Sequence, residues 1–149
     1  MITFMSRLRN ILKKINGFLY PPADIEIENI QQLDAKANDL FFGKMENYTA
    51  AGYVKGPCGD SMEFYLIIEN DIIKEVSYYT DGCESTRVAG YAIARRAKGK
   101  KVIDALCISP GEIIKTGECL EAEGSHCAIL AASTLHQAIA DYLLHPPAS

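Results

Sequence analysis

Polar and apolar positions alternate along residues 62–69, a period of two that is typical of a β-strand with one buried face. The apolar positions are Met62, Phe64, Leu66 and Ile68. A second β-rich run covers residues 72–80, and Asn70-Asp71 between the two runs is a turn signal. The pattern therefore predicts a β-hairpin. Residues 49–55 are expected to add a third strand.

Apolar positions three and four residues apart predict helices on both sides of these strands. Residues 2–19 form a basic amphipathic pattern that Pro21-Pro22 ends, and a weaker helix follows at 30–42. After the strands, helices are expected from Ser85 or Thr86 to Lys98, at 101–106, from Pro110, and from Ser125 to His145. The order predicts an α+β fold, an antiparallel three-stranded sheet with helices packed on one face, plus N-terminal helices.

The N-terminal amphipathic helix carries four positive charges and no acid within residues 1–20. The favoured interpretation is a helix packed on the domain or on a second subunit. The alternative is an arm that docks on a membrane surface or a partner, since basic amphipathic helices also do that.

Composition excludes several classes of protein. The 149 residues contain 15 Lys+Arg and 19 Asp+Glu, a formal charge of -4, which argues against nucleic-acid binding because phosphate neutralisation needs a basic surface. The longest stretch without Asp, Glu, Lys or Arg, residues 124–140, contains Ser, Thr, Gln and two His. We expect a core helix there and no run long enough to span a bilayer, so a membrane partner is not the favoured interpretation.

The chain has five cysteines, at positions 58, 83, 107, 119 and 127. The odd number, and basic residues that interrupt any secretory signal, argue against a disulfide framework and indicate reducing cytoplasm. The thiols are then buried filler, metal ligands or reactive groups. Cys107 is expected to be a small apolar core residue.

Cys58, Cys83 and Cys127 lie at the boundaries of the predicted elements. Loops and helix N-termini are places where backbone amides and the helix dipole stabilise thiolate, the form that binds metal. No CxxC pair exists, so any shared site must be assembled by the fold. Spacing alone leaves two alternatives open, one metal site or three unrelated structural cysteines.

Three segments carry a resemblance to a known family: Gly56-Pro57-Cys58-Gly59-Asp60 before the hairpin, Tyr79-Thr80-Asp81-Gly82-Cys83 at its end, and His126-Cys127-Ala128-Ile129-Leu130-Ala131 opening the last helix. Together they resemble the iron–sulfur cluster assembly scaffolds of the IscU, NifU N-terminal and SufU type. The resemblance implies an α+β sandwich over residues 46–145, preceded by a helical extension over residues 1–45. It also implies a metal site formed by Cys58, Asp60, Cys83, His126 and Cys127.

The function implied by the resemblance is that of a scaffold and not of an enzyme. It would accept sulfur from a cysteine desulfurase, assemble a labile 2Fe–2S cluster on Cys58, Cys83 and Cys127, and pass it to apo iron–sulfur proteins. Because clusters usually take four thiolates, the remaining position would fall to Asp60, His126, a second subunit of a homodimer or an exogenous thiol.

Two alternatives use the same residues. Zinc accepts mixed Cys, His and Asp donors, so a SufU-like, zinc-dependent sulfur-transfer partner of a desulfurase is the first, and an interaction module with a structural zinc is the second. A cysteine hydrolase is poorly supported, because the only His next to a candidate thiol is its sequence neighbour.

The sequence departs from the family pattern at two places near the site. Glu84-Ser85-Thr86-Arg87 follow Cys83 where the family usually has small residues, which changes the charge and access expected there. The segment before His126 lacks the Leu-Pro-Pro-Val-Lys motif that a specialised chaperone binds in the ISC branch. Cys119, in that segment, is expected to be a spectator.

Overall fold

The predicted sheet is present in the computed structural model, which describes residues 40–116 and 124–147. Strands β1 (Ala50–Lys55), β2 (Ser61–Glu69) and β3 (Ile72–Thr80) form an antiparallel sheet in the order β1-β2-β3. The Asn70-Asp71 turn has positive φ at both residues, 53° and 60°, as a two-residue hairpin turn requires. The hairpin and the third strand are confirmed.

The helices in the described part of the chain follow the strands. They are α1 (Glu84–Ala97), α2 (Val102–Ala105), α3 (Pro110–Lys115) and α4 (Gly124–Leu144). Cys83, and not Ser85 or Thr86, is the N-cap residue of α1. The expected helix at 2–19, most of the one at 30–42, and Cys119 lie outside the described residues.

One face of the sheet is buried under α1 and α4. Along β2, Met62, Phe64 and Leu66 are fully buried, while Glu63 and Tyr65 between them are only half-buried, so the alternation in the sequence matches the two faces of the strand. The helices contribute the other half of the core, which includes Ala89, Ile93, Ala131, Leu135 and Ile139. The α+β class with helices on one face is confirmed.

Two glycines allow the helices to approach the sheet closely. A Cβ atom added at Gly52 of β1 would lie 2.5 Å from the backbone oxygen of Thr134 in α4. One added at Gly90 of α1 would lie 2.5 Å from the ring of Tyr78 in β3. Contacts this short leave no room for a side chain, so each glycine brings its helix within van der Waals contact of a strand.

Helix α4 corrects one expectation and confirms another. The helix has 21 residues, and the mean hydropathy of its most apolar 18-residue window is 1.3, so by length and composition it could cross a membrane. The expectation that no run is long enough is therefore wrong. Half of that window is buried inside the protein, and the inner face includes Ala128, Leu135 and Ile139. The expectation of a core helix is therefore confirmed.

Cys107 corrects a second expectation, because it is exposed and not part of the core. The neighbouring positions Ala105 and Ile108 are buried instead. α2 has only four residues and ends two residues before Cys107. The chain turns after this helix, so Ala105 and Ile108 face the core and the Cys107 thiol between them faces solvent.

Candidate functional site

The site lies where the loop between β1 and β2 meets the loop between β3 and α1. The strand register places Lys55 opposite Ser61 and Met62 opposite Thr80, so the two loops leave the same end of the sheet. Asp81 Oδ1 accepts a hydrogen bond from the Ser61 N–H at 2.8 Å, and the Thr80 hydroxyl donates to the Ser61 carbonyl at 2.6 Å. These bonds hold the loops side by side.

The first loop is a tight turn that carries Cys58 at its exposed tip. The Gly56 N–H donates to the Asp60 carbonyl at 2.8 Å, and the Gly59 N–H donates to the Gly56 carbonyl at 3.1 Å. Gly59 has φ +91°, a conformation that residues with a Cβ rarely adopt. The turn therefore exposes Cys58 and returns the chain so that Asp60 is directed at the second loop.

Cys83 lies at the start of α1, as its exposed N-cap. The Thr86 hydroxyl, which lies 3.5 Å from the Cys83 sulfur, and then the backbone N–H of Thr86 lower the pKa of this thiol below its ordinary value. The Ser85 N–H acts in the same direction, against partial burial and the charge of Asp60. The thiolate of Cys83, the nucleophilic and metal-binding form, is therefore more accessible than in an ordinary cysteine.

Cys127 approaches from α4 and has the opposite character. Its side chain is 2% exposed, and burial raises its pKa, with the charges of Cys83, Cys58 and Asp60 adding to the effect. The start of α4 is set beside the first loop through Leu130, whose side chain lies 3.6 Å from the position of a Cβ added at Gly56. As pH rises, Cys127 therefore keeps its proton to a higher pH than Cys83 does.

Thr86 is the residue at which these groups meet. Its hydroxyl donates to Asp60 Oδ2 at 2.9 Å and lies 3.5 Å from each of the sulfurs of Cys83 and Cys127. The two sulfurs are consequently no more than twice that distance apart. Gly82 lies next to the Asp60 carboxylate and leaves it room, because a Cβ atom added at Gly82 would lie 2.7 Å from Asp60 Oδ2.

The structure brings three of the five predicted site residues together, namely Asp60, Cys83 and Cys127. Cys58 lies at the rim, close enough for its charge to act on Cys127. The His126 side chain is exposed, and no hydrogen bond joins it to the other four within the part of the chain that the structure describes. Successive helix residues point about 100° apart, so when Cys127 faces inward His126 faces away.

The types of donor atom suit a soft metal, but the donors are not yet close enough together to bind one. Two sulfurs and a carboxylate at one point match the thiolate and mixed-donor chemistry of iron–sulfur clusters and zinc. Within residues 40–116 and 124–147, however, no three His, Cys, Asp or Glu side chains are close enough to hold a metal ion. The donors are turned toward the Thr86 hydroxyl, so metal binding requires the sulfurs to move.

Thr86 is the site residue that the sequence analysis did not assign. From the sequence, Thr86 is only a candidate helix cap and part of a departure from the family pattern. The available signal was its spacing, because a residue three positions after a helix N-cap lies beside the cap side chain. Its contacts with Asp60 and Cys127 come from distant parts of the chain.

Comparison with known proteins gives a consistent result. The family model described as the NifU-like N terminal domain matches residues 30–147. The "Iron sulfur cluster assembly protein 1" of Trachipleistophora hominis is 31% identical over 133 residues, covering 89% of this chain and 96% of that protein. The scaffold protein IscU of Aquifex aeolicus is 34% identical over 119 residues, covering 78% and 76%.

Solved structures show the same fold. A SUF-system scaffold protein from Fervidobacterium islandicum superposes with a TM-score of 0.58 at 18% identity, covering 75% of this chain and 98% of that one. A NifU-like N-terminal protein from Brucella abortus gives 0.57 at 13% identity, covering 77% and 94%.

Proposed function

The chain belongs to the family of the NifU-like N-terminal domain and is an iron–sulfur cluster assembly scaffold, and from that premise we propose how it works. It accepts sulfur from a cysteine desulfurase, assembles a labile 2Fe–2S cluster and passes the cluster to apo iron–sulfur proteins. It acts through ligands and sulfur acceptors and not as an enzyme, in the reducing cytoplasm, where thiols stay available.

The observation that carries this proposal is the meeting of Asp60, Cys83 and Cys127 at one buried hydroxyl. These residues come from three separate parts of the chain, and they combine two soft sulfurs with one hard oxygen. Cys58, on its exposed turn, supplies the third thiolate when the loop closes over the metal.

The ligand roles follow from donor chemistry. Thiolates hold iron firmly and carboxylate oxygen holds it less firmly. A cluster on Cys58, Cys83 and Cys127 with Asp60 as the fourth ligand therefore has one position that opens easily, as transfer to a recipient requires. His126, being exposed, would have to turn inward to take that place; a group from a second subunit of a homodimer or an exogenous thiol is the other source.

Anaerobic purification with iron, zinc and acid-labile sulfide analysis tests the proposal. We expect brown protein, with iron and sulfide in equal amounts, after anaerobic reconstitution with ferrous iron, a cysteine desulfurase, cysteine and a dithiol reductant that supplies the electrons needed to convert persulfide sulfur to sulfide. Colourless protein that takes up no sulfide under these conditions would contradict the cluster-bearing role.

The mixed donor set also favours a second candidate, a zinc-dependent sulfur-transfer partner of a desulfurase. Zinc is content with sulfur and carboxylate oxygen in one tetrahedron, and Asp60 lies among the sulfurs. In that case the purified protein is colourless with one zinc per chain, and one cysteine leaves the metal to accept persulfide sulfur.

A further inference from the structure

The side chain of Thr86 is fully buried in the first turn of α1. Its hydroxyl contacts one residue from each of three parts of the chain: Asp60 from the loop before β2, Cys83 from the start of α1, and Cys127 from α4.

The number of hydrogen bonds that a hydroxyl can form determines how these contacts are arranged. A threonine hydroxyl donates one hydrogen bond and accepts two, whereas an ionised carboxylate only accepts. While both thiols carry their protons, the single proton of Thr86 therefore goes to Asp60 Oδ2, at 2.9 Å, and a thiolate at Cys83, whose sulfur lies 3.5 Å away, competes for the same proton. The two lone pairs of the oxygen remain for the thiol groups of Cys83 and Cys127, at 3.5 Å each.

Asp60 is held from two sides. Thr86 donates to Oδ2, and the backbone of Gly82 lies against the carboxylate so closely that an added Cβ would be 2.7 Å from the same oxygen. Within the described residues, no hydrogen bond is made to Oδ1. One oxygen of Asp60 is fixed and the other is left for a ligand.

We propose that Thr86 is a positioning residue, whose hydroxyl fixes Asp60 beside Cys83 and Cys127 so that Asp60 Oδ1 is presented to the metal that the scaffold carries. The inference rests on the proposed function. When metal enters, the sulfurs move and the carboxylate stays in place. Hydrogen bonds of this kind orient ligating carboxylates in metal sites generally, and losing one typically lowers metal affinity about 10- to 100-fold.

Anaerobic titration of the full-length apo-protein with Co²⁺ tests this role, because the visible spectrum of the bound ion reports both affinity and the number of sulfur ligands. Thr86→Val, which keeps the branched shape and removes the hydroxyl, is expected to lower Co²⁺ affinity about 10- to 100-fold. Thr86→Ser should restore most of the affinity. Thr86→Ala serves in the same comparison if the valine variant does not fold.

Thr134 provides a matched control. It is another fully buried threonine, and its hydroxyl donates to the Leu130 carbonyl of its own helix at 2.7 Å, away from the ligands. Thr134→Val should leave Co²⁺ affinity and spectrum unchanged. A drop as large as that of Thr86→Val would show a general effect of removing a buried hydroxyl and would overturn the proposal.

A double-mutant cycle shows whether Thr86 acts through Asp60. Asp60→Ala should weaken Co²⁺ binding in the wild-type background and have little further effect beside Thr86→Val. Equal effects of Asp60→Ala in both backgrounds, or wild-type affinity in Thr86→Val, would overturn the positioning role.

The two proposals fail differently. A wild-type protein that binds Co²⁺ but acquires no cluster on reconstitution refutes the proposed function and leaves the Thr86 measurement in force. A wild-type protein that binds a cluster, together with a Thr86→Val variant of unchanged Co²⁺ affinity, refutes the positioning role alone. A wild-type protein that binds neither refutes both.

Discussion

The carboxylate of Asp60 rests against the backbone of Gly82, at the place where any other residue would put its Cβ atom. That atom would lie 2.7 Å from Asp60 Oδ2 and 2.9 Å from Thr86 Cβ. The carboxylate could swing aside, but Thr86 Cβ belongs to a buried branched side chain in a helix and has little freedom. The absence of a side chain at Gly82 therefore determines where Asp60 can lie.

Gly82→Ala should push Asp60 away from Thr86, lower the affinity for Co²⁺, and destabilise the fold by about 1–3 kcal/mol, as overpacking typically does. Chemical denaturation and Co²⁺ titration measure the two effects. The control is Gly111→Ala in α3, where the nearest atom to an added Cβ is 3.7 Å away. Wild-type affinity in Gly82→Ala would mean that the contact with Asp60 does not matter for the metal.

The cysteines should divide into ligands and spectators. Cys58→Ala, Cys83→Ala and Cys127→Ala should each abolish stable cluster binding. Each substitution leaves only two thiolate ligands, which are too few to hold the two iron atoms of the cluster. Cys107→Ala, on the surface, should bind like wild type and change the free energy of unfolding by less than about 0.5 kcal/mol. Iron and sulfide analysis of each reconstituted variant checks this.

Cys119→Ala is also expected to retain the cluster, because Cys119 is not among the candidate ligands. Loss of cluster from a folded Cys107→Ala or Cys119→Ala variant would make the ligand assignment wrong.

Cys83 should react with iodoacetamide well before Cys127 in the apo-protein. Hydrogen bonding holds the pKa of Cys83 below its ordinary value and burial holds that of Cys127 above it, so as pH rises Cys83 becomes thiolate first. Quenched labelling followed by peptide mass spectrometry gives the rate at each residue across neutral and alkaline pH. Thr86→Val should move the Cys83 profile to higher pH. Identical profiles in the folded and the urea-unfolded protein would contradict this.

The strands could be predicted because their signals are local. Alternation along β2 and the Asn70-Asp71 turn determine the hairpin without reference to the rest of the chain. Cys107 could not be placed in the same way, because a single cysteine beside apolar residues has no periodicity, and the short α2 helix decides which neighbours face inward.

The site was predictable only in part, for a related reason. The family resemblance implies a site of five residues, Cys58, Asp60, Cys83, His126 and Cys127, but the sequence does not encode which of them touch. Thr86 joins Asp60, Cys83 and Cys127 through contacts that span 26, 3 and 41 residues. Only the contact with Cys83 is local enough to follow from helix geometry.

Removal of residues 1–20 should leave metal binding unchanged. The family match begins at residue 30, and the candidate ligands begin at Cys58, so the deleted segment contains none of them. Gel filtration of the truncated protein measures any change in oligomeric state, and Co²⁺ titration measures the site. A truncated protein that folds normally but binds no Co²⁺ would show that the N-terminal segment contributes to the site.

Asp60→Ala should make the assembled cluster persist longer and transfer more slowly, even though it weakens binding of a single Co²⁺ ion. The two effects differ because they measure different quantities. A lone ion loses one of its few ligands, whereas a cluster loses the oxygen position at which iron is most easily released. Carboxylate is a hard donor and leaves iron more readily than thiolate does, so a recipient's cysteine enters there first.

The measurement is the decay of visible absorbance after an apo-ferredoxin is added to anaerobically loaded wild-type and Asp60→Ala protein. Asp71→Ala is the control, since that carboxylate lies in the hairpin turn and accepts a hydrogen bond from Tyr142. We expect wild-type transfer from Asp71→Ala and several-fold slower transfer from Asp60→Ala. If Asp60→Ala instead loses its cluster faster at unchanged thermal stability, Asp60 is an ordinary stabilising ligand and the release of iron begins at one of the thiolates.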